Sequence, residues 1–594
     1  MENLHSPQST YRNNIERLDD VTKTLARKVR NSNLMRGVSF IGGASLAIVA
    51  ANYSLSIMWS VIAVSAVAFL FFVKKNSTFR NLLSYNEALL AINQNELKSL
   101  EGDNSSFDGG NNFIDKSHNF SYDIDIFGEN SIFQKINRTV TQGGRNKLAE
   151  TFMNPPSDIK TIQEIQKDSQ LFENEVDSRQ DFMAFGKIME GDFTEEASSE
   201  NQNPEFFFTQ NMGWKIAAIL LSASAVFSIF LTAMDLLSPF MVLIPFSINI
   251  IITIIISRKT STLTQRIDKY SRIYKKYGKF FDIIEKITLK PDKYKHISDK
   301  KISKALGQLS NIAALYEQRH NIVIIMFGQG LICYDLWVNM KFENWLRKNN
   351  YELNNWLNIV YDYDFMFSLA NLKFNNPDYH YPTPVEGSFV LEASNAGHPL
   401  ISPEKCVRND IKFSNCNFIT ILTGANMAGK STYLRTIGTN LILAHIGAVV
   451  CADSFVFSPT KMITSIRTND SVQDSESYFF AELKRLRKIV ERLESGETIF
   501  IIVDEMLRGT NSKDKHDGSQ KFIEKLLKYN CYGIFATHDI DIGNMQESYP
   551  KNVNAKCFEI SFEGDNLIFD YKIKDGISKN LNASFLMKKM GIIE

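Results

Sequence analysis

The chain of 594 residues lacks the marks of a protein built on disulfides or zinc. Its six cysteines, Cys333, Cys406, Cys416, Cys451, Cys531 and Cys557, are scattered with no C-x-x-C pair. This argues against a disulfide framework or a zinc knuckle and fits a reducing cytosol. Charge bias is missing as well: 66 Lys and Arg balance 66 Asp and Glu. Net charge therefore gives a nucleic-acid partner no support, and only a local basic face could serve one. The most informative absence is a local one. No charged residue occurs from 37 to 73, and Asp235 is the only one from 216 to 257.

Soluble helices seldom stay uncharged on every face for so long, so each block reads as a transmembrane helical hairpin. In the first, Asn52-Tyr53-Ser54 interrupts the run near its middle, leaving two spans of about 18 residues for a hydrocarbon core about 30 Å thick. Arg27, Lys28, Arg30 and Arg36 precede it, and Lys74, Lys75 and Arg80 follow. Both flanks should face the cytoplasm, and the run is too long and starts too late for a cleaved signal peptide. In the second block, Trp214 and Lys215 open the hairpin, Asp235 and Ser238-Pro239 mark the turn, and Arg258 and Lys259 close it. A multi-pass protein of an inner or plasma membrane, with termini inside, is the expectation. Asn321 to Tyr334 is apolar over too short a run to span, and reads as a buried core helix.

The remaining segments follow from periodicity. Residues 1–33 contain an amphipathic helix, with Ile15, Leu18, Val21, Leu25 and Val29 at three- and four-residue steps; a membrane surface or a partner helix would suit it equally. The first hairpin occupies 34–75. Residues 76–120 read as a helix followed by a flexible linker rich in Gly, Asn and Ser. Residues 121–212 and 259–385 read as two parts of an all-α core interrupted by the second hairpin at 213–258. The acidic stretch Glu190 to Glu205 reads as a solvated loop. The basic cluster Arg266, Lys269, Arg272, Lys275, Lys276 and Lys279 could meet DNA, but its place just past a span favours cytoplasmic charge beside anionic lipid. From 386 to 594 short strands alternate with helices, the pattern of an α/β domain with a largely parallel sheet.

That last domain carries the chemistry. Phe418 to Ser431, FITILTGANMAGKS, is an apolar strand, a glycine turn and a helix start in the pattern G-x-x-x-x-G-K-[ST]. Gly424, Ala425, Asn426, Met427, Ala428 and Gly429 would curl their N–H groups around phosphate, aided by the helix N-terminus and by Thr432. Lys430 would reach the β- and γ-phosphates, and Ser431 would ligate Mg²⁺. This is a P-loop for ATP. TIFIIVDE, Thr498 to Glu505, ends in Asp504, suited to the Mg²⁺ shell, and Glu505, suited to activating water. GIFATH brings His538 to the same edge, where an imidazole could sense the γ-phosphate.

Together, TGANMAGKSTYLRTIG, TNDSVQDSESYFFAEL, VDEMLRGTNSKD and FATHDI resemble the MutS family, the ABC-type ATPases of DNA mismatch repair, over roughly Leu391 to Ile593. A weaker echo at Tyr122 to Pro156 is similar to the start of the family's helical core. The resemblance implies ATP and Mg²⁺ as cofactors, a homodimer with two composite sites, Ser475 and Ser477 completing the partner's nucleotide site, and Arg508 to Asn511 at that interface. His398-Pro399 resembles a family pair and takes a structural role. The tail, Ser578 to Gly591, resembles the closing helix. Fewer than 40 residues precede the first apolar span, so a counterpart of the family's mismatch-reading domain is not expected. Two functions stay open. One is a membrane-anchored ATPase that still binds DNA; the other is an ATP-driven membrane switch acting on protein or lipid.

Overall fold

The computed structural model describes residues 6–189, 206–209, 212–259, 261–297, 301–318, 321, 324–413, 419–425, 427–467, 478–563 and 566–578. The chain divides into two units: Met1–Thr139 with Arg145–Val176 and Phe365–Glu594, and Val140–Gly144 with Asp177–Asp364.

The first unit opens with two long helices, α1 (Pro7–Ala51) and α2 (Leu55–Leu100). Pro7 sits in the first turn of α1, where its missing N–H costs nothing, and the Ser6 side chain accepts from the N–H of Ser9. The Asn52–Ser54 turn then reverses the chain, and Ser54 caps α2. Leu18, Thr22, Leu25, Ser32, Gly43, Ala47 and Ala50 are buried at three-, four-, seven- and eleven-residue intervals, forming the seam that α2 covers. Over the uncharged stretch 37–73 the outer faces are apolar and exposed, with Ile48 at 72% and Val64 at 70%. The expected boundaries at 33/34 and 75/76 fall inside continuous helices, because polar and apolar portions share one helical period.

The polar foot of this hairpin is tied down. Arg138 Nε lies 2.5 Å from Glu96 Oε1 with both side chains buried, and its guanidinium lies 3.4 Å from the Phe107 ring centroid. Asn371 and Asn375 also donate to Glu96, and the Tyr11 hydroxyl donates to Asn375 Oδ1 at 2.7 Å. A carboxylate buried this deeply requires such a set of donors. The region expected to be a flexible linker is therefore packed. Gln134 Nε2 donates to the Phe107 carbonyl, Asn137 Nδ2 to the Asp108 carbonyl and the Gly128 N–H to the Gly109 carbonyl. Its Gly, Asn and Ser residues serve tight turns rather than slack.

In the second unit, α3 (Met212–Ala233) and α4 (Leu243–Lys259) flank a turn containing Pro239–Val242. Among the described residues, four stretches are long and apolar enough to cross a membrane: Pro7–Ala51, Leu55–Leu100, Met212–Ala233 and Pro239–Ile256. The segment expected to be one buried helix is broken. A π-turn at Ile324–Gly328 leads into a single turn, α5 (Gln329–Ile332), which stops at Cys333 in a left-handed conformation. Buried Asn249 of α4 donates to the Gly330 carbonyl at 2.7 Å and the Leu221 carbonyl at 3.3 Å, so this broken piece packs on the second hairpin.

The carboxyl-terminal part of the first unit holds two sheets. A mixed sheet takes the order β1 (Thr383–Pro384), β5 (Ser454–Phe457), β2 (Leu391–Ala396), β3 (Asn409–Phe413). The other runs β10 (Asn566–Asp575), β9 (Val553–Glu563), β4 (Ile419–Gly424), β8 (Cys531–Thr537), β7 (Ile499–Asp504), β6 (Lys461–Ser465). All its neighbours are parallel except β10 against β9. Every residue of β4, β7 and β8 is buried, as expected for strands covered on both faces. Three helices complete the surroundings of the site: α6 (Lys430–His445), α7 (Tyr478–Glu494) and α8 (Ser512–Leu526).

Candidate nucleotide site

In parallel sheets ligands gather beyond the carboxyl ends of the strands. Here the neighbouring strands β4, β8 and β7 end at Gly424, Thr537 and Asp504. The turn after β4 is shaped by glycine: Gly424 has φ +153° and Gly429 φ +107°, and Gly429 directly precedes α6. Met427 is also left-handed and is 80% exposed, while Ala425 and Ala428 are buried. Asn426 lies outside the described residues. Ser431 and Thr432 occupy the exposed first turn of α6.

Lys430 is buried beneath this loop. Its Nζ donates to the Gly424 and Ala425 carbonyls, each at 2.8 Å, and lies 3.5 Å from His538 Nδ1. Burial pushes its pKa down to about 8 in spite of the nearby Asp504 and Glu505 charges. A desolvated ammonium bonded directly to two carbonyls would gain from an anionic partner in direct contact, which a phosphate group would supply. The Ser431 hydroxyl donates to Asp504 Oδ2, bringing a hydroxyl and a carboxylate from different elements together. These hard oxygen donors suit Mg²⁺.

Glu505, just past β7, has φ +60°, and Leu507 has φ +56°. Such conformations cost non-glycine residues on the order of 1 kcal/mol each and persist only where neighbours over-determine them. The Glu505 N–H donates to the Ala536 carbonyl at 2.9 Å. Its carboxylate lies 2.9 Å from Lys515 Nζ on α8 and 3.2 Å from Arg508 Nε. Burial raises this carboxyl's pKa, but Lys515, His538 and Arg508 together bring it below the ordinary glutamate value. Burial and the Lys430 charge both lower the pKa of His538, which favours the neutral imidazole.

The structure thus brings Lys430, Ser431, Asp504, Glu505 and His538 to one sheet edge. Ser475 and Ser477 lie outside the described residues. Two contributors escape the sequence reading: Lys515, one turn into α8, and Glu482 on α7, which grips the turn after Glu505. Both look like ordinary helix charges in the sequence. His398 is buried, with its pKa pushed down to about 4 by burial, and its Nδ1 accepts from the Leu400 N–H. Asn440 of α6 ties the same loop to Cys451 by donating to the Gly397 carbonyl and accepting from the Cys451 N–H, which suits a structural role.

Residues 420–588 match MutS domain V. Over this domain the chain is similar to proteins of the MutS family. It is 30% identical over 227 residues to "DNA mismatch repair protein MutS" of Thermotoga sp. (strain RQ2), covering 38% of this chain and 28% of that protein. It is 31% identical over 203 residues to "MutS protein homolog 4" of Homo sapiens, covering 32% and 21%. The Petrotoga mobilis (strain DSM 10674 / SJ95) "DNA mismatch repair protein MutS" is 32% identical over 207 residues, covering 34% and 25%. The alignments thus span about a quarter of the length of these MutS relatives. Domain V is the α/β domain that carries ATPase activity in the MutS family, whose ATPases use ATP and Mg²⁺.

Proposed function

We propose that this chain is a membrane-anchored MutS-type ATPase that hydrolyses ATP as a homodimer. The single observation carrying the ATPase reading is the meeting of Lys430, the Ser431–Asp504 pair, Glu505 and His538 beyond three adjacent parallel strands. The loop N–H groups and Lys430 hold the triphosphate. Ser431 and Asp504 hold Mg²⁺, which when bound supplies charge neutralisation at the phosphates. Glu505 orients the attacking water and accepts its proton as the bond to the γ-phosphate breaks. Neutral His538 offers a hydrogen bond beside Lys430. Ser475 and Ser477 of one copy complete the site of the other, with Arg508 to Asn511 nearby.

The bilayer reading rests on apolar side chains that face outward on helices long enough to span, such as Phe40, Ile48, Leu220 and Ile255. Both hairpins then have their ends on the cytoplasmic side, in an inner or plasma membrane. DNA is the partner that the names of the MutS relatives suggest. A protein or lipid partner is the second reading, favoured by the balanced charge of the chain together with the exposed apolar helices. Binding of the detergent-solubilised protein to duplex, mismatched and branched DNA, measured across a salt series, decides between them. Phosphate contacts impose a linear fall of log affinity with log salt, and no binding at about 50 mM salt would remove DNA from the proposal.

A further inference from the structure

The turn after β7 is held from outside the strand. Glu482 of α7 is 3% exposed, and its two carboxylate oxygens accept from successive backbone N–H groups, Leu507 at 2.5 Å and Arg508 at 3.3 Å. The same helix presses on the turn at a second point. A Cβ placed on Gly509 would lie 2.9 Å from Phe479 Cβ, so the backbone there runs directly against α7. Within this turn Leu507 is left-handed, as is Glu505 two residues earlier. Arg508, whose N–H Glu482 accepts, also donates from Nη2 to the Asp504 carbonyl at 2.8 Å and sets Nε against the Glu505 carboxylate.

We propose that Glu482 is the positioning residue for Glu505, fixing through the Leu507 and Arg508 backbone where the catalytic carboxylate points. This rests on the assignment of Glu505 as the group that activates water. A turn of ordinary conformation needs no buried carboxylate to hold it. Here two left-handed residues need support, and Glu482 satisfies two consecutive donors that have no backbone partner among the described residues. Without that acceptor the turn relaxes, Arg508 moves, and Glu505 loses one side of its ion-pair clamp. Lys515 on α8 is the other side. The P-loop lies on a different strand, so the phosphate grip stays.

The test uses the full-length protein in detergent, with ATP turnover and ATP binding measured side by side. Glu482→Ala should lower kcat about tenfold while KM and ATP affinity change less than about twofold. Glu482→Gln keeps one carbonyl acceptor and should recover part of the loss, which also guards against a variant that fails to fold. Because Glu482 acts through Glu505, the double variant Glu482→Ala with Glu505→Gln should be no slower than Glu505→Gln alone. Wild-type kcat in Glu482→Ala overturns the proposal. So does full multiplication of the two losses in the double variant, or an equal loss of ATP affinity. If Glu505→Gln turns over normally, the assignment of Glu505 falls first, and the role of Glu482 falls with it.

Discussion

Ile501 and Val503 in β7 are 0% and 1% exposed, whereas Ile48 in α1 and Val64 in α2 are 72% and 70% exposed. The residue types are the same and their fates are opposite. Around β7 the chain supplies its own apolar surroundings: Ile421, Ile463, Ile489, Ile523 and Phe535 close over the strand. Full burial of such a side chain contributes about 1.5–3 kcal/mol. Along the outer faces of the hairpin the chain covers only one seam, and the rest must be met by something else. On the proposed membrane reading a bilayer would meet it, because a helix satisfies its own backbone polar groups and needs only an apolar medium outside. The lesson is that hydropathy marks which residues avoid water, and burial then separates those covered by the chain itself from those left for another apolar partner, which we propose is lipid.

Substitutions in the two regions should fail differently. The largest effect belongs to the buried cation: Lys430→Ala should weaken Mg-ATP binding by more than about 100-fold, since a charged, desolvated phosphate contact is lost. Equilibrium binding of a fluorescent ATP analogue reads this directly. Next, Glu505→Gln should cut kcat by about two orders of magnitude and leave ATP binding intact. Light scattering after chromatography should then find the ATP-bound dimer accumulating, whereas a wild-type rate would remove Glu505 from its role. Truncating the sheet by Ile501→Ala should cost about 2–4 kcal/mol of stability, visible as an earlier denaturation midpoint for nucleotide binding. The matched change Ile48→Ala should cost under about 0.5 kcal/mol by the same measure, as its side chain leaves no cavity. Equal costs at the two positions would mean that α1 is covered by protein, not lipid.

Much of the nucleotide site was legible because its chemistry is local. The strand, the glycine turn and the helix start around Lys430 lie within fourteen consecutive residues, Phe418 to Ser431, and both carboxylates close a single strand. The turn at Asn52–Ser54 was legible for the same reason. Lys515 and Glu482 were not, since each acts across a distance in sequence that no periodicity reports: 10 residues in one case and 25 in the other. The segment after α2 misled because Gly, Asn and Ser suit both a slack linker and a chain of tight turns. Only long-range partners such as Arg138 and Gln134 separate those possibilities. The helix break at Cys333 was hidden in part likewise: Gln329 and Asp335 bridge it locally, but the Asn249 side chain that donates to the Gly330 carbonyl lies far upstream.

The most direct measurement is where Glu505-dependent ATP hydrolysis resides after membranes are washed with alkaline carbonate. Hydrolysis that needs Mg²⁺, stays in the pellet, is released only by detergent and disappears in Glu505→Gln is the expected result. Hydrolysis recovered in the carbonate supernatant, or undiminished in Glu505→Gln, would contradict a nucleotide engine anchored in a bilayer.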